Sequence, residues 1–146
     1  MREHAGDDLV RFVMAQDPVF PAVLAELRAG RKQTHWMWFV FPQLAGLGFS
    51  DMARRYAIPD LGAARAYLAD SVLGPRLRDV TRLMLGHTGR SAREILGTPD
   101  DMKFHASMTL FRQAATAADD VALFQRALDA FFGGDPDRQS LELLDA

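Results

Sequence analysis

Residues 98–112 read TPDDMKFHASMTLFR and carry the clearest helix signal in the chain. The Thr98 hydroxyl is suited to accept a backbone N–H, Pro99 fits a first helical turn, and two carboxylates suit the positive end of a helix. At helical spacing, three apolar side chains share one face and a more polar set shares another (Phe104, Met108 and Phe111; Met102, His105 and Thr109). This stretch predicts a helix from residue 100 to about residue 115.

Similar signals for helix starts and ends recur on both sides of this helix. Starts are indicated at residues 7–8, Asp17-Pro18, Ser50-Asp51, Asp60, Gly74-Pro75, Ser91, Asp119-Asp120 and Asp135-Pro136, and several glycines are suited to end helices. Apolar residues recur at helical spacing between them. No segment shows the alternation of a strand or a hairpin turn. The sequence therefore predicts an all-α domain of about eight helices in an orthogonal or irregular bundle.

The composition is that of an ordinary folded domain. Of 146 residues, 49% are hydrophobic and 25% charged, so residues 1–146 are expected to form a single domain, with residues 1–6 as a flexible tail. The absence of cysteine excludes disulfides and Cys-ligated zinc, and it favours a cytoplasmic location. The net charge of −2 gives no indication of nucleic-acid binding. The longest apolar run, near residues 36–49, is broken by Pro42 and by glycines and is too short to span a membrane.

Residues 31–43 read RKQTHWMWFVFPQ and do not follow the amphipathic pattern. Four of the fourteen aromatic residues fall within residues 36–41, including both tryptophans. Because this segment is apolar on more than one side, we expect it to be mostly buried and to contact the helix that begins near Thr98. The ordinary interpretation is hydrophobic core. The alternative is that one indole lines a ligand pocket as a stacking platform.

The motif HWMWFVFPQ at residues 35–43, followed by Gly46-Leu47-Gly48, resembles the signature of the bacterial domain-of-unknown-function family 1810. Tyr56, residues 66–68, residues 73–77 and residues 97–111 match as well, so the resemblance covers roughly residues 8–145. The sequence departs from the family pattern at Ala106, where the family prefers Ser, and at His105, where the family is variable. The resemblance implies a compact all-helical fold rather than an activity. Members are sometimes labelled calpastatin, a disordered calpain inhibitor, and the composition of a folded domain excludes that label.

Lysine is rare in this chain. Fifteen of the seventeen basic residues are Arg, and the exceptions are Lys32 and Lys103, which lie in the two segments least like ordinary amphipathic helices. A compact ammonium group fits tight sites better than a guanidinium group does. We therefore predict a pocket in which both lysines meet an imidazole, an indole, an amide and two hydroxyls (His35, Trp38, Gln43, Ser107 and Thr109). The alternative is the chance placement of two surface lysines.

Candidate catalytic groups are His35, Lys103 and Ser107, because imidazole titrates near neutral pH and Ser107 lies one helical turn after Lys103. Arg76 is a further candidate ligand for an anion, since it stands at a helix start where backbone N–H groups favour anions. Arg78 and Arg82 are expected on a solvated face of the same helix. No metal-ligand spacing, phosphate-binding loop or nucleophile motif occurs, so neither a metal nor a cofactor is expected.

These residues suit a small anionic ligand with a planar part, such as a nucleotide- or ribose-containing metabolite. The sequence therefore predicts a small-molecule pocket protein, with hydrolases and transferases as the enzyme classes to screen first. The alternative is a non-enzymatic protein-interaction module whose aromatic segment is only core. No nucleic-acid or membrane partner is expected. The substrate, any reaction and the oligomeric state stay open.

Overall fold

Ten helices form the fold within residues 2–145, the part of the chain that the computed structural model describes, with side chains described for residues 9–145. They are α1 Arg2–Gln16, α2 Phe20–Ala29, α3 Met37–Val40, α4 Asp51–Arg55, α5 Leu61–Ala69, α6 Leu73–Leu85, α7 Ala92–Leu96, α8 Asp100–Ala114, α9 Ala118–Phe132 and α10 Arg138–Asp145. An isolated parallel bridge joins Leu44 to Ile58. The all-α prediction is confirmed, with ten helices rather than about eight. Since α1 begins at Arg2, the predicted tail overlaps this helix, and its flexibility stays a prediction.

The helix α8 lies at the centre of the core. It packs against α5, α7, α9 and α10, while α6 packs against α2, α5 and α9. The buried side chains of α8 are Phe104, Ala106, Ser107, Met108, Thr109, Leu110, Phe111 and Ala114. A helix that is buried on most sides needs no single apolar stripe, and the buried residues of α8 accordingly lie on more than one of its faces.

Short polar side chains begin three helices as predicted. Ser50 and Asp60 each accept a hydrogen bond from the backbone N–H three residues later, at the starts of α4 and α5. Ser91 and Glu94 form a reciprocal capping box at the start of α7. Gly97 ends that helix with a φ of 80°, a conformation that residues with a side chain rarely adopt.

Three predicted side-chain caps are wrong. Thr98 makes no side-chain cap bond to α8, since the first N–H groups of this helix are bonded to backbone carbonyls. The Asp17 carboxylate pairs instead with Arg76 at 2.8 Å, and α2 begins only at Phe20. The capping side chain of α10 is Asp137, two residues beyond the predicted one.

The aromatic segment at residues 36–41 is mostly core, as predicted. Trp36, Phe39 and Phe41 are buried, and the single turn of α3, which was not predicted, lies within the segment. The Phe41 ring meets the Phe104 ring of α8 edge-on, with centroids 4.9 Å apart, so the predicted contact with that helix is confirmed. Trp38 is the exception in the segment because it is only partly buried.

Candidate ligand-binding cleft

One carboxylate shapes the loop that carries Lys32. Glu26, near the end of α2, accepts four hydrogen bonds of 2.6–3.1 Å from this loop. The donors are the backbone N–H groups of Gln33 and Thr34, the Thr34 hydroxyl and the Trp36 indole. Burial alone would raise the pKa of Glu26, but these hydrogen bonds outweigh it and lower the pKa to about 2. The loop is therefore closed onto α2, and the Lys32 backbone N–H is bonded to a carbonyl of α7 at 2.8 Å.

Lys32 and Lys103 meet at Asp100. Lys32 Nζ lies 2.9 Å from Asp100 Oδ2, and Lys103 Nζ lies 3.6 Å from Asp100 Oδ1. Each ammonium group also lies 5.1 Å from the centre of an indole ring, Lys32 over Trp36 and Lys103 over Trp38. The Lys32 side chain is 7% exposed and the Lys103 side chain is 24% exposed. Two cations thus share one carboxylate, and Lys103 is the one that keeps more contact with solvent.

Lys103 lines a surface cleft of about 290 Å³. The walls come from the segment before α4, from the first turns of α8 and from the start of α10. The lining residues are Gln43, Leu47, Gly48, Phe49, Ser50, Ala53, Pro99, Met102, Lys103, Ala106, Asp137 and Gln139. A smaller cavity of about 10 Å³ shares Gln43 and Lys103 with the cleft and reaches Trp38. The cleft volume is near the lower end of the range of about 300–1,000 Å³ that is usual for small-molecule sites.

Two large apolar side chains stand exposed at this cleft. Phe49 is 73% exposed and Met102 is 65% exposed. Phe49 also lines an adjoining cleft of about 290 Å³, together with Leu47 and the partly exposed Leu143. Isolated apolar side chains are common on protein surfaces, but here two line the same cleft beside an ammonium group. The site therefore offers an apolar surface and a positive charge together.

Two of the predicted site residues lie at the surface or within another network. His35 is exposed and is not among the residues that line these clefts. Arg76 pairs with Asp17, and its guanidinium lies 4.8 Å from the centre of the Phe20 ring. Arg76 also donates to the buried side chain of Gln16 at 3.3 Å. The Arg76 guanidinium thus joins α6 to α1 and to the start of α2.

Ser107 and Thr109 are fully buried within α8. Ser107 Oγ has no hydrogen-bond partner among the described residues. Thr109 Oγ1 donates to the His105 carbonyl at 2.9 Å and accepts the backbone N–H of Asp137 at 2.8 Å. Neither hydroxyl lines the cleft, but Thr109 contacts a residue that does.

The chain matches the model of a protein family over residues 6–144, and the family is described as a protein of unknown function (DUF1810). The chain belongs to the DUF1810 family. A crystal structure at 1.38 Å of the conserved hypothetical protein Rv1873 from Mycobacterium tuberculosis is similar to it, with 52% sequence identity and a TM-score of 0.91. The match covers 95% of this chain and 97% of that one. No curated protein matches the chain significantly. The resemblance drawn from the aromatic motif is therefore confirmed.

Two acidic residues of this DUF1810 protein were not assigned to the site from sequence. Asp100 stands in the first turn of α8, where a carboxylate is favoured by the helix dipole in any case. Its position one helical turn before Lys103 is the only signal of its second role. No local signal marks Asp137, because its place in the cleft depends on the contact with Thr109 on a different helix.

A larger cleft of this DUF1810 protein, about 630 Å³, lies between α1, residues 57–60 and α5. Its lining is mostly apolar, with Arg11 and Arg54 as its cations. The Arg11 guanidinium donates to the carbonyls of Arg55 and Ala57, which ties α1 to this loop. None of the residues predicted from sequence lines this cleft. The candidate site is the cleft at Lys103, because the predicted residues Gln43 and Lys103 line it and because its cation lies beside two exposed apolar side chains.

Among the described residues, no group of three or more His, Asp or Glu side chains is placed to hold a metal ion. No helix in that part of the chain has the length and apolar character that crossing a membrane requires.

Proposed function

We propose that this protein binds a small anionic metabolite in the cleft at Lys103. The observation that carries the proposal is the sharing of Asp100 by two ammonium groups, one of which belongs to a residue that lines the cleft. Asp100 is held closely by Lys32, at 2.9 Å, and more loosely by Lys103, at 3.6 Å. An ammonium group has three donors, so Lys103 Nζ keeps donors for an anion. A hydrogen bond between charged partners is about twice as strong as one between neutral partners.

The other lining groups support a ligand with a ring and with hydroxyl groups. Phe49 and Met102 offer aromatic and thioether surfaces that suit a planar ring. Gln43, Ser50 and Gln139 supply neutral donors and acceptors, which suit hydroxyl and amide groups. A nucleotide- or ribose-containing metabolite has both parts. A cytoplasmic location of the protein, predicted from the absence of cysteine, stays a prediction.

Enzymatic action on the ligand would depend on Lys103. Of the three catalytic candidates, Ser107 is fully buried and His35 is not among the residues that line the cleft. Hydrolase and transferase assays with each compound that binds, followed by chromatography of the products, test this part of the proposal.

A protein-interaction module is the second candidate function, and the exposed apolar side chains favour it. Phe49, Met102 and Leu143 surround two adjoining clefts, and such groups also occur at protein contacts. In that case the ammonium group of Lys103 is a charge at the rim of the contact. Small anions would then not stabilise the protein.

A thermal-shift screen against nucleotides, sugar phosphates and nicotinamide metabolites distinguishes the two functions. A ligand present at one hundred times its Kd adds about 2.7 kcal/mol to the free energy of unfolding. We expect at least one anionic compound to raise the melting temperature, and the matching uncharged compound to raise it less. The interaction module predicts no shift with any of them.

Lys103→Met separates binding from stability. Met keeps most of the side-chain stem and loses the charge, and Asp100 keeps Lys32, so the free energy of unfolding should change by less than about 1 kcal/mol. Affinity for the compound found in the screen should fall by about tenfold or more, because a hydrogen bond to a charged group is lost. Lys103→Arg should also weaken binding, since a planar fork does not fit the position of a point charge.

Arg126→Met is the matched control for Lys103→Met, because Arg126 is an exposed cation on α9 that is not among the cleft residues. Titration calorimetry measures the affinities, and chemical denaturation measures the stabilities. Affinities equal to that of the wild type in both Lys103 variants would contradict the proposal.

A further inference from the structure

The cleft has an acidic side as well as a cationic one. Asp137 lines it together with Lys103, and Glu142 lines the adjoining cleft beyond Phe49. Among the described residues, Lys103 is the only Lys or Arg that lines either cleft. The cationic lining of the two clefts is therefore Lys103, which shares Asp100 with Lys32.

Asp137 is held in place by hydrogen bonds on two sides. Its backbone N–H donates to Thr109 Oγ1 at 2.8 Å, and that hydroxyl is fully buried and bonded to the preceding turn of α8. Its carboxylate oxygen Oδ2 accepts from the backbone N–H and from the hydroxyl of Ser140, at 3.0 Å and 2.6 Å. The other oxygen, Oδ1, accepts no hydrogen bond within the described part of the chain. The negative charge of Asp137 is thus fixed at the start of α10, and Oδ1 remains able to accept a hydrogen bond.

Resting on the proposed function, we infer that Asp137 restricts the ligand to a nucleoside or sugar monophosphate and disfavours a di- or triphosphate. Lys103 supplies one positive charge for one phosphate group. A longer phosphate chain that starts at Lys103 and follows either cleft meets the carboxylate that lines it, Asp137 in one and Glu142 in the other. Like charges repel, and salt screens this repulsion only in part within the Debye length, which is about 8 Å at physiological ionic strength. Asp137 is therefore a specificity-determining residue, and Thr109 and Ser140 position it.

The experiment is a comparison of adenosine, AMP, ADP and ATP as ligands of the full chain. Calorimetry at constant ionic strength, without divalent cations, measures each Kd. We expect AMP to bind more tightly than adenosine, and ATP to bind about threefold or more weakly than AMP, because added phosphates meet carboxylates without a cation. The ratio of the ATP and AMP dissociation constants is the quantity of interest.

Asp137→Asn tests the residue itself. Asn keeps an oxygen that can accept from Ser140, and it removes the charge, so the ratio of the ATP and AMP dissociation constants should fall by about threefold or more. Asp135→Asn makes the same change of charge two residues earlier, at a position outside the cleft lining, and should change the ratio by less than Asp137→Asn does. The melting temperature of each variant shows that it is folded.

Three results would overturn the inference. The first is tighter or equal binding of ATP relative to AMP by the wild type. The second is a preference for AMP that Asp137→Asn leaves unaltered. The third is the absence of binding by all four compounds. The proposed function is tested separately, since it stands if any anion of the wider screen binds in a manner that depends on Lys103.

Discussion

Glu26 and Asp100 position Lys32 through different parts of the same loop. Glu26 binds the backbone of that loop, and Asp100 binds the ammonium group that the loop presents. An ionised carboxylate has two oxygens and about four acceptor sites, so it can collect several donors that converge from one side. The position of the Lys32 ammonium group thus depends on acidic residues of two different helices.

Glu26→Gln should destabilise the protein at neutral pH by about 1–2 kcal/mol, because the amide has one acceptor oxygen where the carboxylate has two and because the site is only partly buried. The pKa of Glu26 is about 2 in the folded protein, below its ordinary value of 4.5. The contribution of the carboxylate to the free energy of unfolding is therefore complete above about pH 4.5 and is lost as the pH falls toward 2. Chemical denaturation at several pH values measures it.

The difference in stability between the wild type and Glu26→Gln should be largest near neutral pH and should shrink below about pH 4.5. Glu142→Gln, at an exposed position on α10, is the control and should leave stability nearly unchanged at every pH. A loss at Glu26 that is the same at pH 3 and pH 7 would show that the hydrogen bonds do not hold the carboxylate ionised.

The rarity of lysine in this chain predicts that Lys32 and Lys103 belong to one site. It does not predict which residues they contact. A carboxylate in the first turn of a helix is favourable whatever else it binds, so local sequence does not reveal the second use of Asp100. Helical spacing places Ser107 on the same face of α8 as Lys103. Because α8 is buried on most sides, spacing alone does not predict which residues of that face are exposed to solvent. Asp137 reaches the cleft through a tertiary contact, which no local pattern encodes.

A helix start can be predicted from sequence when the side chain that caps it lies only a few residues away. The starts of α4, α5 and α7 are capped by a side chain three residues away, so a local pattern suffices. Before α2, the Asp17 carboxylate is paired with Arg76, which lies far along the chain, so a local pattern does not suffice. The single turn of α3 has no side-chain cap and is held by the burial of the aromatic segment around it.

Phe41→Ala should lower the free energy of unfolding by about 3–5 kcal/mol, the usual cost of truncating a buried aromatic residue. Phe41 is 1% exposed, and its ring contacts the rings of Trp36 and Phe104. Trp38→Ala should cost less, because Trp38 is only partly buried and faces the small cavity at Lys103. Chemical denaturation of both variants gives the comparison. A larger loss at Trp38 than at Phe41 would contradict the packing of this segment.

Across the whole molecule, charged pairs join helices that are distant in sequence. Arg78 on α6 and Asp120 on α9 form such a pair, with side chains 25% and 14% exposed. The expectation that Arg78 lies on a solvated face is therefore wrong, because α6 packs against α9 and α5 along this side. The expectation holds for Arg82, one turn later, whose side chain is 60% exposed.

Arg78→Met should destabilise the protein by about 1.5–3 kcal/mol, the usual contribution of hydrogen bonds to a charged group. Arg78 Nε and Nη2 donate to the two carboxylate oxygens of Asp120 at 2.7 Å and 3.0 Å, and Nη2 also donates to the Leu68 carbonyl of α5 at 3.1 Å. Three helices thus meet at one guanidinium group. Its removal leaves a partly buried carboxylate without a cation, which is costly even where the intact pair adds little.

Arg82→Met is the matched control, since its pair with Asp79 spans 3.5 Å and both side chains are mostly exposed. Such a surface pair contributes at most about 1 kcal/mol, and salt screens it. Denaturation at low salt and near 1 M salt should therefore show a small loss for Arg82→Met that disappears at high salt. The loss for Arg78→Met should largely persist, because a partly buried pair is screened less and because the bond to Leu68 does not depend on a second charge. Equal losses in the two variants, or a loss at Arg78 that salt abolishes, would mean that this guanidinium group does not join the three helices.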